Sequence, residues 1–279
     1  MVTYFRKKRM VWAVAGALCC TLAVWSQAEA QNFKLQDKNS VSEFDIGTQA
    51  GMFSWAVDDV DHLTQQWFWL RVGDVGPEQS LDTLTLDDAR AIDTNMSGFD
   101  DTLYTRFLGQ GFMIENRYGL AGGFPGSGKS VYGEQITVTN TGNDPLGFHF
   151  FQYADFDLGG SANDRLVQIT GGNTATQQGL GASVSEAIVT RAPSRVEVSL
   201  VGDILGRLND GDADNLNNTT GPLGPGNLTW AFQWDVSIPA GGSYLISKPL
   251  SIIPEPGTVM LLLAGLGLGV RRLRRRGRV

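Results

Sequence analysis

Cysteine and histidine are almost absent from the chain, with two of each among 279 residues. Two cysteines cannot build a disulfide scaffold or a Cys-rich zinc module. Both of them, Cys19 and Cys20, fall in an N-terminal stretch that reads as removable. The histidines, His62 and His149, lie far apart, so no His-based metal set forms locally. A basic excess is missing as well: the net charge is −7, which argues against a nucleic-acid binder. Helical periodicity is nearly absent, no G-x-S-x-G elbow is present to activate a serine, and no apolar run reaches the roughly 20 residues of a full membrane span. The 42% apolar content is nevertheless too high for a disordered chain, and the 35 glycines follow no collagen period.

What is present begins with two unusual ends. Arg6, Lys7, Lys8 and Arg9 precede an apolar run from Met10 to Trp25, and Ala28-Glu29-Ala30 supplies a small-x-small cleavage site. Basic end, apolar core and small residues at the cut are the layout of a secretory signal peptide over residues 1–30, with Ala28 and Ala30 recognised by signal peptidase. At the other end Pro254-Glu255-Pro256-Gly257 is followed by an apolar stretch from Thr258 to Val270 and then by Arg271, Arg272, Arg274, Arg275, Arg276 and Arg278. Prolines stop the preceding strand, the apolar stretch reads as a short transmembrane helix, and the arginines snorkel and hold the cytoplasmic side.

This C-terminal arrangement of residues 254–279 resembles the PEP-CTERM sorting signal of Gram-negative bacteria. The resemblance implies a partner, exosortase, a membrane enzyme thought to cleave near Pro254-Glu255-Pro256, and an association with exopolysaccharide and biofilm. The precursor would then be exported, anchored in the inner membrane, and passed to the cell envelope or extracellular matrix.

Between the ends, residues 31–253 carry short two-periodic segments. Thr229–Ile238 alternates strictly, with Trp230, Phe232, Trp234, Val236 and Ile238 on one face. Gln135–Thr139 and Phe148–Tyr153 flank an Asn/Gly/Pro turn, a hairpin signature. Further strands are expected at Gly51–Val57, Gln66–Val72, Leu81–Leu86, Arg106–Asn116, Leu166–Thr170, Ala187–Val189 and Arg195–Val201. The pattern predicts an all-β ectodomain, an antiparallel β-sandwich or jelly roll, with 209–227 as its longest loop. The stretch Tyr132–Gly142 followed by Phe148–Asp157 is similar to β-sandwich ectodomains that precede a PEP-CTERM tail. Removing the basic ends leaves 12 positive and 27 negative residues in 31–253, a net of −15.

Several motifs offer chemistry. Gly123–Ser130 matches the phosphate-loop string G-x-x-x-x-G-K-S, but a strand pattern follows where a phosphate loop needs a helix, so it reads as an inter-strand loop and no nucleotide is expected. Asp210, Asp212 and Asp214 alternate as at the start of a calcium loop, although Asn215 and Gly221 stand where an EF-hand wants Gly and Glu. A solvated acidic loop is the alternative, and calcium is the sole cofactor candidate. Asp58-Asp59-Val60-Asp61-His62 and His149 with Asp155 and Asp157 have the residue types of metal or acid–base clusters, but turns and solubility also account for them. No catalytic residue is assigned. Trp67 and Trp69 share one face of their strand, which reads as sandwich core with an aromatic row for stacking on sugar as the alternative, while the Trp230 strand reads as core.

The composite expectation is an exported, non-enzymatic surface or matrix protein sorted by exosortase. The alternatives are a carbohydrate-binding module, calcium-assisted or not, and a secreted glycan hydrolase acting through paired carboxylates.

Overall fold

Alternation of apolar and polar side chains, too short in each run for a helix, is what the chain turns into structure. A computed structural model describes residues 31–255. The signal peptide with Ala28 and Ala30, and Pro256, Gly257, the apolar stretch and the arginines of the tail, lie outside the described residues. In chain order the strands begin β1 (Asn32–Asp37), β2 (Ser40–Asp45), β3 (Gly51–Val57), β4 (Val60–Asp61), β5 (Gln65–Val72) and β6 (Gln79–Ser80). A 3-10 turn at Leu81–Thr83 leads to β7 (Thr85–Ile92), β8 (Thr102–Gly109), β9 (Phe112–Gly122), β10 (Ser130–Asn140) and β11 (Leu146–Asp155). Then come β12 (Leu166–Thr170), β13 (Thr174–Gln178), β14 (Ala182–Ala187), β15 (Arg195–Leu200), helix α1 (Asp203–Leu208), β16 (Leu228–Ile238) and β17 (Ser243–Pro254).

The strands form two sheets. One runs β1-β2-β3-β5-β11-β16-β15, with β4 and β6 attached to β3 and β5; the other runs β12-β13-β14-β17-β10-β9-β8-β7. Pairing is antiparallel except for a short parallel contact of β3 with β5. The expected all-β sandwich is therefore observed. Among the described residues no helix is long and apolar enough to cross a membrane. The predicted strand at Leu81–Leu86 is instead the 3-10 turn followed by the start of β7, and Arg106–Asn116 is a hairpin, the two strands β8 and β9 joined at Gln110-Gly111. Strand periodicity is continuous across such a tight turn, which hides it. Ala187–Val189 begins on the last residue of β14.

The core lies between the sheets. Phe68, Phe150, Trp230, Phe232 and Trp234 meet Tyr118, Tyr132 and Ile136 there, each almost fully buried. In the middle of this apolar layer sit three charges. Lys248 Nζ on β17 lies 2.5 Å from Glu134 Oε2 on β10 and 2.8 Å from Glu186 Oε1 on β14. The opposite sheet supplies donors: Gln66 Nε2 to Glu134 (2.5 Å), and Gln152 Nε2 and Trp230 Nε1 to Glu186 (2.9 Å each). Burial works against the Lys248 ammonium, but the two flanking carboxylates overcome it and hold the ammonium above the usual range; burial pushes the Glu134 carboxyl up.

At the C-terminal end, Pro254 pairs with Ala182 as the last residue of β17, and Glu255 is 8% exposed, its carboxylate 2.7 Å from Arg165 Nη1. Pro254 and Glu255 thus pack with the sandwich.

Candidate functional site

The outer face of the nine-stranded sheet is covered at its centre and open at one end. Antiparallel register puts Arg71 (β5) opposite His149 (β11), and His149 opposite Asp235 (β16). Helix α1 and the segment 209–227 lie over Trp69, Phe151 and Tyr153, and Ile204 and Leu208 of the helix are buried against this face. A line of polar side chains crosses beneath that cover. Buried Arg71 pairs with Glu78, donates to the Asp214 carbonyl (2.6 Å) and lies over the Phe151 ring. Asn215 Oδ1 accepts from Arg71 (3.4 Å) and from Gln233 Nε2 (2.6 Å). Gln233 Nε2 also donates to Asp235 Oδ1 (2.6 Å), and the same oxygen receives His149 Nδ1 at 2.6 Å.

The line ends in an oriented imidazole. A carboxylate only accepts, so Nδ1 carries the proton shared with Asp235 and Nε2 is the nitrogen left facing outward. It stands 3.6 Å from Asp74 Oδ1, on a side chain 99% exposed. Arg195 Nε is 4.0 Å from the other Asp235 oxygen. The loop that carries Asp74 also borders a cleft of about 280 Å³ through Val75, Gly76 and Pro77. Chemically the arrangement can bind hydroxyl groups and exchange a proton through His149.

The residues singled out from sequence are distributed differently. Trp67 and Trp69 are 1% and 0% exposed, so they cannot stack on a sugar. Trp67 lies where β5 parts from β3, edge-on to Phe107 of the other sheet, with its indole N–H on Asp82 (3.1 Å). Trp69 is edge-on to Tyr153 with its N–H on Asn209 (3.1 Å). Trp67 is buried against the other sheet and Trp69 under the segment that begins at Asn209, neither of which alternation in β5 alone reports. The Trp230 strand is core, as expected.

The segment of Asp210, Asp212 and Asp214 makes local hydrogen bonds. Asp210 Oδ1 accepts the Asp212 amide (2.8 Å), and the Asp214 amide is turned to Glu78 (3.1 Å). Among the described residues no three carboxylates or imidazoles converge as a metal requires. Asp58 accepts the amides of Gly126 (2.6 Å) and Gly128 (2.8 Å), which holds its carboxyl below the usual range against the effect of burial. Those glycines (φ +76° and +62°) turn the loop between antiparallel β9 and β10. The string Gly123–Ser130 is therefore a hairpin loop pinned by Asp58. Asp61 takes the Trp55 and Leu63 amides and His62 takes the Gly159 amide, which accounts for that acidic cluster structurally.

His149 does not join Asp155 and Asp157. Asp155 is on its face of β11 but six residues on, about 20 Å along the strand. Its partners Asp235, Gln233, Asn215 and Arg195 were not foreseen. One trace was available: strict alternation in β16 places Gln233 and Asp235 together on the polar face. Asp155, buried with Asp157 and Asp164 close by, has its carboxyl pushed up to about 7, first by burial and then by those two carboxylates; Asp164 is pushed to about 6.

No family model matches the chain, and no curated protein matches it in sequence. Solved structures do resemble it. A bacterial glucoamylase complexed with acarbose superposes with a TM-score of 0.54 at 9% identity, over 86% of this chain and 35% of that one. A protein from Escherichia coli K12 assigned as an aldose 1-epimerase gives 0.49 at 9% identity, over 79% and 98%. A galactose mutarotase-like protein from Lactobacillus casei gives 0.44 at 8% identity, over 80% and 100%. The chain spans about a third of the length of the glucoamylase. The glucoamylase likeness shows a shared fold, one found in a carbohydrate-active enzyme. That finding runs against the expectation of a non-enzymatic, merely sorted surface protein, which rested on the tail and on the lack of a recognisable catalytic motif.

Proposed function

We propose that the domain is carbohydrate-active and handles a saccharide at the open end of the nine-stranded sheet, with His149 exchanging a proton with a sugar hydroxyl. The observation that carries this is the 2.6 Å contact of His149 Nδ1 with Asp235, which leaves Nε2 facing outward at the rim of the cover. The hydroxyl proton passes to Nε2 while Nδ1 keeps its own proton, and the Asp235 carboxylate accepting from Nδ1 offsets the charge on the ring; the reverse step returns the proton to the sugar oxygen. Gln233 holds the carboxylate in place, and Asn215 and Arg71 extend the same line of hydrogen bonds behind it. The glucoamylase likeness supports the fold side of this reading.

The test uses full-length protein purified in detergent and a panel of oligosaccharides, with reducing ends and anomer exchange followed by NMR. Turnover of at least one saccharide is expected, and His149→Asn should slow it about 100-fold while the protein stays folded. Absence of turnover across the panel, or an unchanged rate in the variant, rejects the reading. The resemblance of the two ends to a signal peptide and a PEP-CTERM tail supports delivery to the cell exterior, with exosortase as the processing partner. Extracellular protein whose mass includes Val279 would exclude that processing.

A further inference from the structure

The outer face of the other sheet, on the opposite side of the molecule from His149, carries a groove of about 290 Å³. Two adjacent rows of residues across the central strands β9, β10 and β17 form it: Arg117, Gln135 and Ser247 in one, Gly119, Gly133 and Pro249 in the next. The floor is what needs explaining. Glycine inside a strand weakens it, and is kept where the backbone turns or something approaches closely. Neither glycine has a positive φ, and a Cβ on either would meet nothing nearer than a carbonyl at 4.0 Å. Folding therefore does not demand them, whereas side chains there would fill the groove.

The wall supplies a charge without a counterpart. On this face Arg90 is paired with Asp88, and Arg106 with Asp87 and Glu115. Arg117 lines the groove and has no carboxylate partner among the described residues; its guanidinium is 5.7 Å from the Tyr104 ring centroid. This is an exposed cation in a domain whose net charge is −15 over residues 31–253. Guanidinium matches a carboxylate in planar, two-pronged geometry. Gln135 and Ser247 offer an amide and a hydroxyl for sugar hydroxyls, and Pro249 gives an apolar ring edge beside a floor of bare backbone.

The geometry points to a second saccharide site, distinct from the His149 face, that takes a carboxylate-bearing sugar of an acidic polysaccharide, its carboxylate on Arg117 and its ring over Gly119 and Gly133. It goes beyond the proposed activity and stands if that activity fails. Titration calorimetry of the detergent-purified full chain tests it, with tetramers of galacturonate, glucuronate, mannuronate and guluronate and their carboxyl-reduced forms as probes. At least one uronate is expected to bind, with its reduced form about tenfold weaker or more. Gly133→Val and Arg117→Gln should each lower affinity to a similar degree at unchanged melting temperature, while His149→Asn leaves binding intact. Equal binding of reduced and native tetramers overturns the proposal, as does no binding at all. Loss in His149→Asn but not in Gly133→Val assigns the ligand to the other face. A large fall in melting temperature for both Gly133→Val and Gly119→Thr makes the glycines a folding requirement, which also overturns it.

Discussion

Asp155 shows how one residue acquires chemistry from burial alone. In the chain it is an acidic residue near the end of a strand; in the fold it is 4% exposed with Asp157 and Asp164 as neighbours. Its carboxyl is raised from 3.8 to about 7, so the folded protein binds a proton that the unfolded chain releases. A raised acid stabilises the fold below the unfolded value and loses that contribution as pH climbs toward the folded one. We expect Asp155→Asn to flatten the decline in melting temperature between about pH 4 and pH 7 and to raise it at pH 8. Parallel thermal curves for the two proteins across that range would show the residue to be ionised throughout. His149 is the opposite case. Its type is visible in the sequence, but its role depends on Asp235, 86 positions away, and on the register that sets them opposite.

At the scale of elements, β5 separates what alternation can and cannot convey. Gln66, Phe68 and Leu70 alternate with Trp67, Trp69 and Arg71, and that pattern was legible. A strand with apolar side chains on both faces is covered on both, yet the cover over Trp69 comes from a segment roughly 140 residues later, as its contact with Asn209 shows. Trp69→Ala should therefore cost about 3–5 kcal/mol in urea denaturation, because it empties a packed space. Saccharide binding by the folded fraction should be unchanged; selective loss of binding would return Trp69 to the surface. The hairpin β8–β9 has the period of one strand for a related reason: a two-residue turn of Gln110 and Gly111 barely interrupts it.

At the scale of the molecule, the two sheets are tied by the charged centre of the core. Glu134, Glu186 and Lys248 come from one sheet, and Gln66, Gln152 and Trp230 from the other. Six strands must be in register for these polar groups to find each other in an apolar layer, where an unpaired charge is costly. Removing the cation leaves two buried carboxylates facing each other. Lys248→Met is expected to cost about 3–5 kcal/mol, and adding Glu134→Gln and Glu186→Gln should recover much of it. If Lys248→Met unfolds at the same urea concentration as the parent, the centre contributes nothing to holding the sheets together.

The amino-acid sequence by itself determined the class of fold, since period-two alternation and turn residues are local properties that each strand carries alone. It also determined the acidity of the sandwich, once the basic ends are set apart, and the glycine-rich hairpin loop, whose following residues can only be strand. Tertiary structure decided which strands are neighbours, and with them every site. The pairing of β11 with β5 and β16 made the His149–Asp235 contact, and the pairing of β9, β10 and β17 placed Gly119 beside Gly133. The physical reason is that register is a relation between distant segments, chosen by the packing of both faces at once, so it is written in no single stretch of chain.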